Sequence, residues 1–338
     1  MRDRISKLFF IIVLVGVISG SALFAILSIV TLQAKHEQVL SNEPDQFPVT
    51  VDPKNRLIVE NAQVNASFEN PSSPFQAAVG NVGNILWSAF EWIATTLTDA
   101  SWYQSVAAVA GAPRLVTITP GMRKEQVAST FAKTLGWNKN MKYAFMTATT
   151  SAQAPSSEGS FSPGTYSVTM GMTPKEVRSL VEERFMNDIL SHYGTTTASI
   201  VPLHDALIIA SLIQRETIGT SDMRLVSGVI WNRLFLNMKL QLDATLQYAK
   251  ADEKSVTSWW PKVVPADTRR RSAYNTYIHE GLPPTPIANP SVAAVLAALN
   301  PISTPCLFYF NDTKGNILCT NTYKEHVALL KKYYGRGK

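Results

Sequence analysis

The chain has 338 residues, 46% of them hydrophobic and 17% charged, enough for about two domains with buried cores plus a connector. Its formal charge of +6 and pI near 9.2 suit an anionic neighbourhood, such as a lipid surface or an acidic polymer, and equally suit plain solubility. The sequence holds no zinc finger, aromatic RNA-binding motif or long Lys/Arg tract, which argues against nucleic acid. The two cysteines, Cys306 and Cys319, form no CxxC pair, and no His-Glu-x-x-His helix occurs, so no metal site is expected.

Residues 1–7 carry Arg2, Arg4 and Lys7 against Asp3, and residues 8–32 carry no charge. As a helix that run would be about 37 Å long, against a bilayer hydrocarbon core of about 30 Å. The positive-inside bias places the N-terminus in the cytoplasm and everything beyond Lys35 outside. A cleaved signal peptide is the competing reading. The length of the run and the lack of a small-x-small site at 31–35 favour an uncleaved anchor. The outside compartment is oxidising and permits a Cys306–Cys319 disulfide.

Residues 33–113 form a connector. Its 41–74 portion is rich in Pro, Asn, Ser and Asp and reads as mostly loop, with a short strand-like piece at 56–59. Further on, Val82, Ile85, Leu86, Ala89 and Ile93 recur at helical spacing, with Trp87, Phe90 and Trp92 beside them. This is a helix packed on the main domain or one lying at a membrane interface.

From 114 to 200 the pattern is a small α+β unit. Residues 115–119 alternate as a strand, Pro120-Gly121 turns, and Val127, Phe131 and Leu135 mark a helix over 124–135. A loop is expected over 147–157 and a turn entering a strand over 161–168. Thr173 with Glu176 makes a capping box for a helix through Val177, Val181 and Phe185.

The remaining chain, 201–338, carries the candidate chemistry. Ile209, Leu212, Ile213 and Glu216 fall at i, i+3, i+4 and i+7, so a helix over 203–217 puts a carboxylic acid on an apolar face. Burying the ionised form is costly, and raising the pKa avoids part of that cost. A carboxyl that holds its proton near neutrality is a general acid. A solvated helix end is the bland alternative. A second amphipathic helix follows, with Met223, Val226, Ile230 and Leu234 on one face. Over 240–248, Gln241, Asp243, Thr245 and Gln247 alternate with apolar residues, so extended backbone would place the polar set on one side. Tyr274, Asn275 and Tyr277 then lead into the proline-rich stretch that ends Ala288-Asn289-Pro290. Tyr and Asn beside rigid backbone suit a sugar site, and a buried structural turn has the same composition. Residues 307–310 and 316–320 read as a hairpin around Asp312-Thr313-Lys314-Gly315, with the two cysteines on opposite arms. Paired and unpaired thiols both fit.

These segments resemble, in order, the endolytic murein transglycosylases of the YceG-like family. Ala210-Ser211-Leu212-Ile213-Gln214-Arg215-Glu216-Thr217 resembles the family's catalytic helix, and Val229-Ile230-Trp231-Asn232-Arg233-Leu234 the helix after it. The stretches 240–248, 272–277 and 281–290 follow, then Thr322-Tyr323-Lys324-Glu325-His326. Upstream, Glu158-Gly159-Ser160-Phe161-Ser162-Pro163-Gly164-Thr165-Tyr166 resembles part of the family's LysM-like module. The likeness runs from about 116 to 334 and leaves 33–113 unexplained. The chain departs from the pattern at Gln214, where the family has an acid. It departs also at Leu242 (serine), Ala244 (proline), Ala273 (proline) and Thr285 (glycine), and Cys319 replaces an aromatic.

The resemblance implies an α+β architecture: a single N-terminal transmembrane helix, a small LysM-like α+β module over 114–200 and a mixed α/β catalytic domain over 201–338. It implies cleavage of peptidoglycan glycan strands with Glu216 as the acid/base. Gln241, Asp243, Thr245, Tyr274, Asn275, Tyr277 and Asn289 are expected to bind the sugar or orient Glu216, with His326 as polar support. No metal or organic cofactor is expected. The implied partners are glycan strands, the membrane and a peptidoglycan synthase. The departures leave a degenerate, non-cleaving peptidoglycan scaffold as the alternative, and a lysozyme-like hydrolase as a narrower one.

Overall fold

The computed structural model describes residues 46–69, 113–148, 158–252 and 257–335. The expected membrane span at 8–32 and the amphipathic stretch at 81–97 lie outside them. Among the described residues no helix is long and apolar enough to cross a membrane. Among the described residues the fold is mixed α+β, with helices dominating and three separate two-stranded antiparallel sheets.

The smaller of two hydrophobic cores is built from strand β3 (Arg114–Ile118) and strand β4 (Gly164–Val168), paired so that Val116 faces Tyr166. Helix α2 (Lys124–Leu135) covers the sheet with Val127, Phe131 and Leu135, the positions that the sequence periodicity selects. It stops at Gly136, whose φ of +71° is the left-handed turn that glycine enters without a Cβ clash. Helix α3 (Lys139–Thr147) is not evident from periodicity, because Phe145 is its one fully buried side chain. Its signal is local: Asn138 caps it by accepting the Met141 N–H. Helix α4 (Pro174–Asp188) begins with the expected capping box, the Glu176 carboxylate taking the Thr173 N–H at 2.7 Å. Phe131, Trp137, Phe145, Phe161 and Tyr166 fill this core ring against ring.

The larger core surrounds helix α6 (Leu203–Glu216), preceded by the short helix α5 (Thr195–Ile200). Every residue of α6 from Ala206 to Ile213 is buried, because it is covered by helix α7 (Met223–Phe235) and helix α9 (Val292–Leu299). The composition of α9, Val-Ala-Ala-Val-Leu-Ala-Ala-Leu, lets the α6 backbone approach closely. In α7, a Cβ on Gly228 would lie 2.3 Å from the Ile302 carbonyl oxygen, so only glycine fits there.

Residues 46–69, read from sequence as mostly loop in the connector, are built into this larger core. Phe47 stacks on His192 and packs edge-on against Tyr193. Strand β1 (Val51–Asp52) and strand β2 (Leu57–Ile58) form a hairpin, followed by helix α1 (Ala62–Glu69). The Thr50 N–H donates to the Leu299 carbonyl, and the Asn300 amide donates to the Pro48 carbonyl. Such long-range pairing leaves no trace in local composition.

One expectation is overturned. Residues 243–251 are not extended: Asp243–Ala251 is helix α8. The alternation of polar and apolar residues places Asp243 and Thr245 about 200° apart around a helix, on different faces. Thr245 is fully buried and Asp243 is exposed.

The two cores meet at an interlocked junction. Gly159, at φ +94°, sits so close to Pro286 that a Cβ would be 2.8 Å from the ring. Arg123 lies over the Tyr248 ring, donates to its carbonyl and pairs with Asp252 at 2.7 Å. Glu158 is buried there, its Oε1 accepting the Lys124 N–H and the Asn289 amide, and burial pushes its carboxyl up to about 8. Folding therefore favours the protonated form. The stability this contributes is full below about pH 4.5 and is lost as pH rises to about 8. Across that window Glu158→Gln is expected to flatten the pH dependence of unfolding by about 1.4 kcal/mol per pH unit. Urea melts at several pH values read this slope, and an unchanged slope would refute the assignment.

Candidate active site

Helix α6 delivers Glu216 at its last turn, where the apolar face of the helix runs out into a cleft of about 420 Å³. The walls come from α7, the start of α8, the 272–281 loop, and the hairpin of strand β5 (Phe308–Asn311) and strand β6 (Ile317–Thr320) with helix α10 (Tyr323–Tyr334) behind it. Burial raises the Glu216 carboxyl above its ordinary value, and the Asp243 charge pushes the same way. The Tyr309 hydroxyl, the Ala244 N–H and the Arg215 guanidinium pull it down without cancelling the rise. An acid whose burial favours the protonated form, facing an open cleft, is equipped for general acid catalysis.

Three of the expected residues line the cleft with Glu216: Gln241, Asp243 and Tyr277. The Tyr277 hydroxyl donates to Asp243 at 2.7 Å and so fixes that carboxylate. Gln241 sits at φ +51°, a left-handed conformation costly for a side chain with a Cβ, and its N–H donates to the Thr276 carbonyl. Its exposed side chain faces the cleft from a strained backbone position.

Four expected residues are placed elsewhere, with their polar atoms used internally. Thr245 is sealed under α8, bonded to the Leu242 carbonyl and the Thr276 hydroxyl. Asn275 is fully buried and staples its own loop through the Thr268 and Arg270 carbonyls. Tyr274 packs on Tyr248 and bonds to the Thr285 hydroxyl. Asn289 belongs to the junction, where Oδ1 accepts the Gly159 and Phe161 N–H groups and Nδ2 donates to Met122 and Glu158. None of the four lines the cleft. The amide and aromatic composition that suggested sugar contacts serves loop closure instead.

Sequence reasoning missed Tyr309, Arg233 and Phe308 as cleft residues. The Tyr309 hydroxyl reaches Glu216 Oε2 at 3.1 Å across a sequence separation of 93. Arg233 is buried and spends its donors on the Leu307, Lys239 and Leu240 carbonyls, pinning the hairpin to the segment that enters α8. The motif around Arg233 was visible, but this role was not. His326 lines the cleft beside Phe308, its ring held below the usual imidazole range by burial and by Arg233.

The departures at Gln214 and Thr285 do not reach the cleft. Gln214 accepts the N–H and hydroxyl of Ser291 at the start of α9, and Thr285 bonds to Tyr274. Leu242 and Ala244 stand at the mouth of α8, close to Glu216. Cys306 and Cys319 are joined in a disulfide across the base of the hairpin, and Tyr309 sits opposite Cys319 in the strand register. Replacing both cysteines by serine is expected to cost about 3 kcal/mol, from the chain entropy released by a short closed loop. A shift in the urea midpoint corresponding to less than about 1 kcal/mol would count against that view.

The YceG-like family model matches residues 90–332. The chain belongs to the YceG-like family. An endolytic murein transglycosylase of Bacillus subtilis (strain 168) is 31% identical over 200 residues, covering 58% of this chain and 50% of the relative. One of Streptococcus pneumoniae (serotype 2, strain D39) is 32% identical over 173 residues, covering 50% and 31%. The chain thus spans about half the length of the first of these family members and less of the second. The crystal structure of a yceG-like protein from Listeria monocytogenes superposes with a TM-score of 0.56 at 24% identity, over 64% of this chain and 76% of that one. At that identity the likeness is one of fold.

Proposed function

We propose that this protein is a membrane-anchored endolytic transglycosylase that cuts peptidoglycan glycan strands between MurNAc and GlcNAc and leaves 1,6-anhydroMurNAc ends. The observation that carries this reading is Glu216, its carboxyl raised by burial, in an open, aromatic-lined cleft. Glu216 gives its proton to the glycosidic oxygen as the C1–O bond breaks. The carboxylate then takes the proton of the sugar's own C6 hydroxyl as that oxygen bonds to C1. The acid ends as it began, and no cofactor enters.

Ordinary glycosidases use two carboxylates flanking the bond. Asp243 shares the cleft, which keeps a lysozyme-like hydrolase as the second reading. The Tyr277 hydroxyl bonded to Asp243 supports an orienting role for that carboxylate. Mass spectrometry of fragments from purified glycan strands separates the two readings. Anhydro ends are expected, and reducing ends alone would establish the hydrolase. The scaffold reading loses support from the placement of Gln214 and Thr285 outside the cleft.

The β–α–α–β order of 114–168 supports the LysM-like assignment of the smaller module and, with it, a second grip on the glycan. The uncharged run at 8–32 supports a single-pass anchor with the cleft outside the cytoplasmic membrane. The anchor would keep the cleft near newly made strands, where a peptidoglycan synthase is the expected neighbour.

A further inference from the structure

A hydrogen-bond donor from an element distant in the chain reaches Glu216 in the cleft, the Tyr309 hydroxyl. Tyr309 comes from a hairpin clamped at its base by the Cys306–Cys319 disulfide and at its tip by the Tyr334 hydroxyl on the Asn311 carbonyl. Its hydroxyl lies 3.1 Å from Glu216 Oε2. Burial and the Glu216 charge keep its proton on at any working pH, so it acts as a donor and not as a base.

We propose that Tyr309 acts as a positioning group for Glu216, holding the carboxylate form through which it passes between its two proton transfers. Ionising this half-buried carboxyl beside Asp243 would otherwise be costly. The charged and titratable groups that face Glu216 are Arg215 on its own helix, Asp243 on α8, Tyr277 on the 272–281 loop and Tyr309 on the hairpin. Arg233 stands behind Tyr309. Of these, Tyr309 is the neutral donor that bonds to the carboxylate, so removing its hydroxyl should raise the titration midpoint of Glu216.

The catalytic half of this inference rests on the glycan-cleaving reading, so the deciding measurement is independent of it. The Glu216 carboxyl carbon is titrated by 13C NMR in the full chain, its signal assigned by its loss in Glu216→Gln. Tyr309→Phe is expected to raise the midpoint, and thermal melts verify folding. Tyr143→Phe, an exposed tyrosine on α3 in the smaller core, should leave the midpoint in place. In glycan cleavage, Tyr309→Phe should lower kcat about tenfold at unchanged KM and move the alkaline limb of kcat/KM to higher pH. A folded Tyr309→Phe protein whose Glu216 titrates as in the wild type overturns the proposal. Raised midpoints with no glycan fragments from any form would leave the positioning role standing and remove the transglycosylase reading.

Discussion

Glu216→Gln is expected to lower the release of anhydro-ended glycan fragments by a factor on the order of 10² to 10⁴, the usual contribution of a positioned acid/base. The amide keeps the size and hydrogen-bonding shape of the protonated acid but has no proton to donate. The structure gives this variant a further property. Because the Glu216 carboxyl is raised by burial, folding favours its protonated form, and the ionised form carries a penalty at pH values above its titration. The amide never pays that penalty. The variant should therefore melt no lower than the wild type at pH 8, with the difference shrinking as pH falls. Inactivity together with retained stability separates a chemical role from a structural one. Normal yields of anhydro-ended fragments from the variant would sink the assignment.

Asn289→Ala is expected to destabilise the protein by about 4 kcal/mol. The side chain is fully buried, and its Oδ1 accepts two buried N–H groups, those of Gly159 and Phe161. Alanine leaves both donors without a partner, at about 1–3 kcal/mol each, and also removes the amide from Glu158. The loss falls on the junction between the two cores, so urea unfolding should separate into two transitions as the interface weakens. A shift below about 1 kcal/mol would mean that the backbone pairing of Gly121 and Met122 with Asn289 carries the junction by itself. The contrast with Glu216 is instructive. Both residues lie in stretches shared with the family pattern, yet one faces a cleft and the other closes a seam.

Much of the architecture is written locally. The helix through Phe131 begins and ends where its apolar spacing and Gly136 indicate, and the Thr173–Glu176 capping box forms as expected. Both follow from interactions between residues close in the chain, which a one-dimensional pattern records. Helix α3 and the 46–69 segment escaped because they are stabilised by partners far away in sequence: Phe145 by the small core, Phe47 by His192 and Tyr193. Residues 243–251 misled for a related reason. Alternation over so short a stretch fits a strand or a helix end, and the fully buried Thr245 shows that tertiary packing chose the helix.

For the candidate site, the sequence by itself picked out the candidate acid and its helix. An apolar stripe ending in Glu216 is a periodic feature, and periodicity survives without coordinates. What only the tertiary structure decided is which polar residues share its cleft. Gln241, Asp243 and Tyr277 do; Thr245, Tyr274, Asn275 and Asn289 spend their hydrogen bonds holding loops and seams in place. A polar side chain has the same identity in either role, and the difference lies in whether its partners are protein atoms or open space. Tyr309 makes the point from the other side. Nothing adjacent in the chain marks it, and only the closing of the hairpin over α6 brings its hydroxyl to the carboxylate.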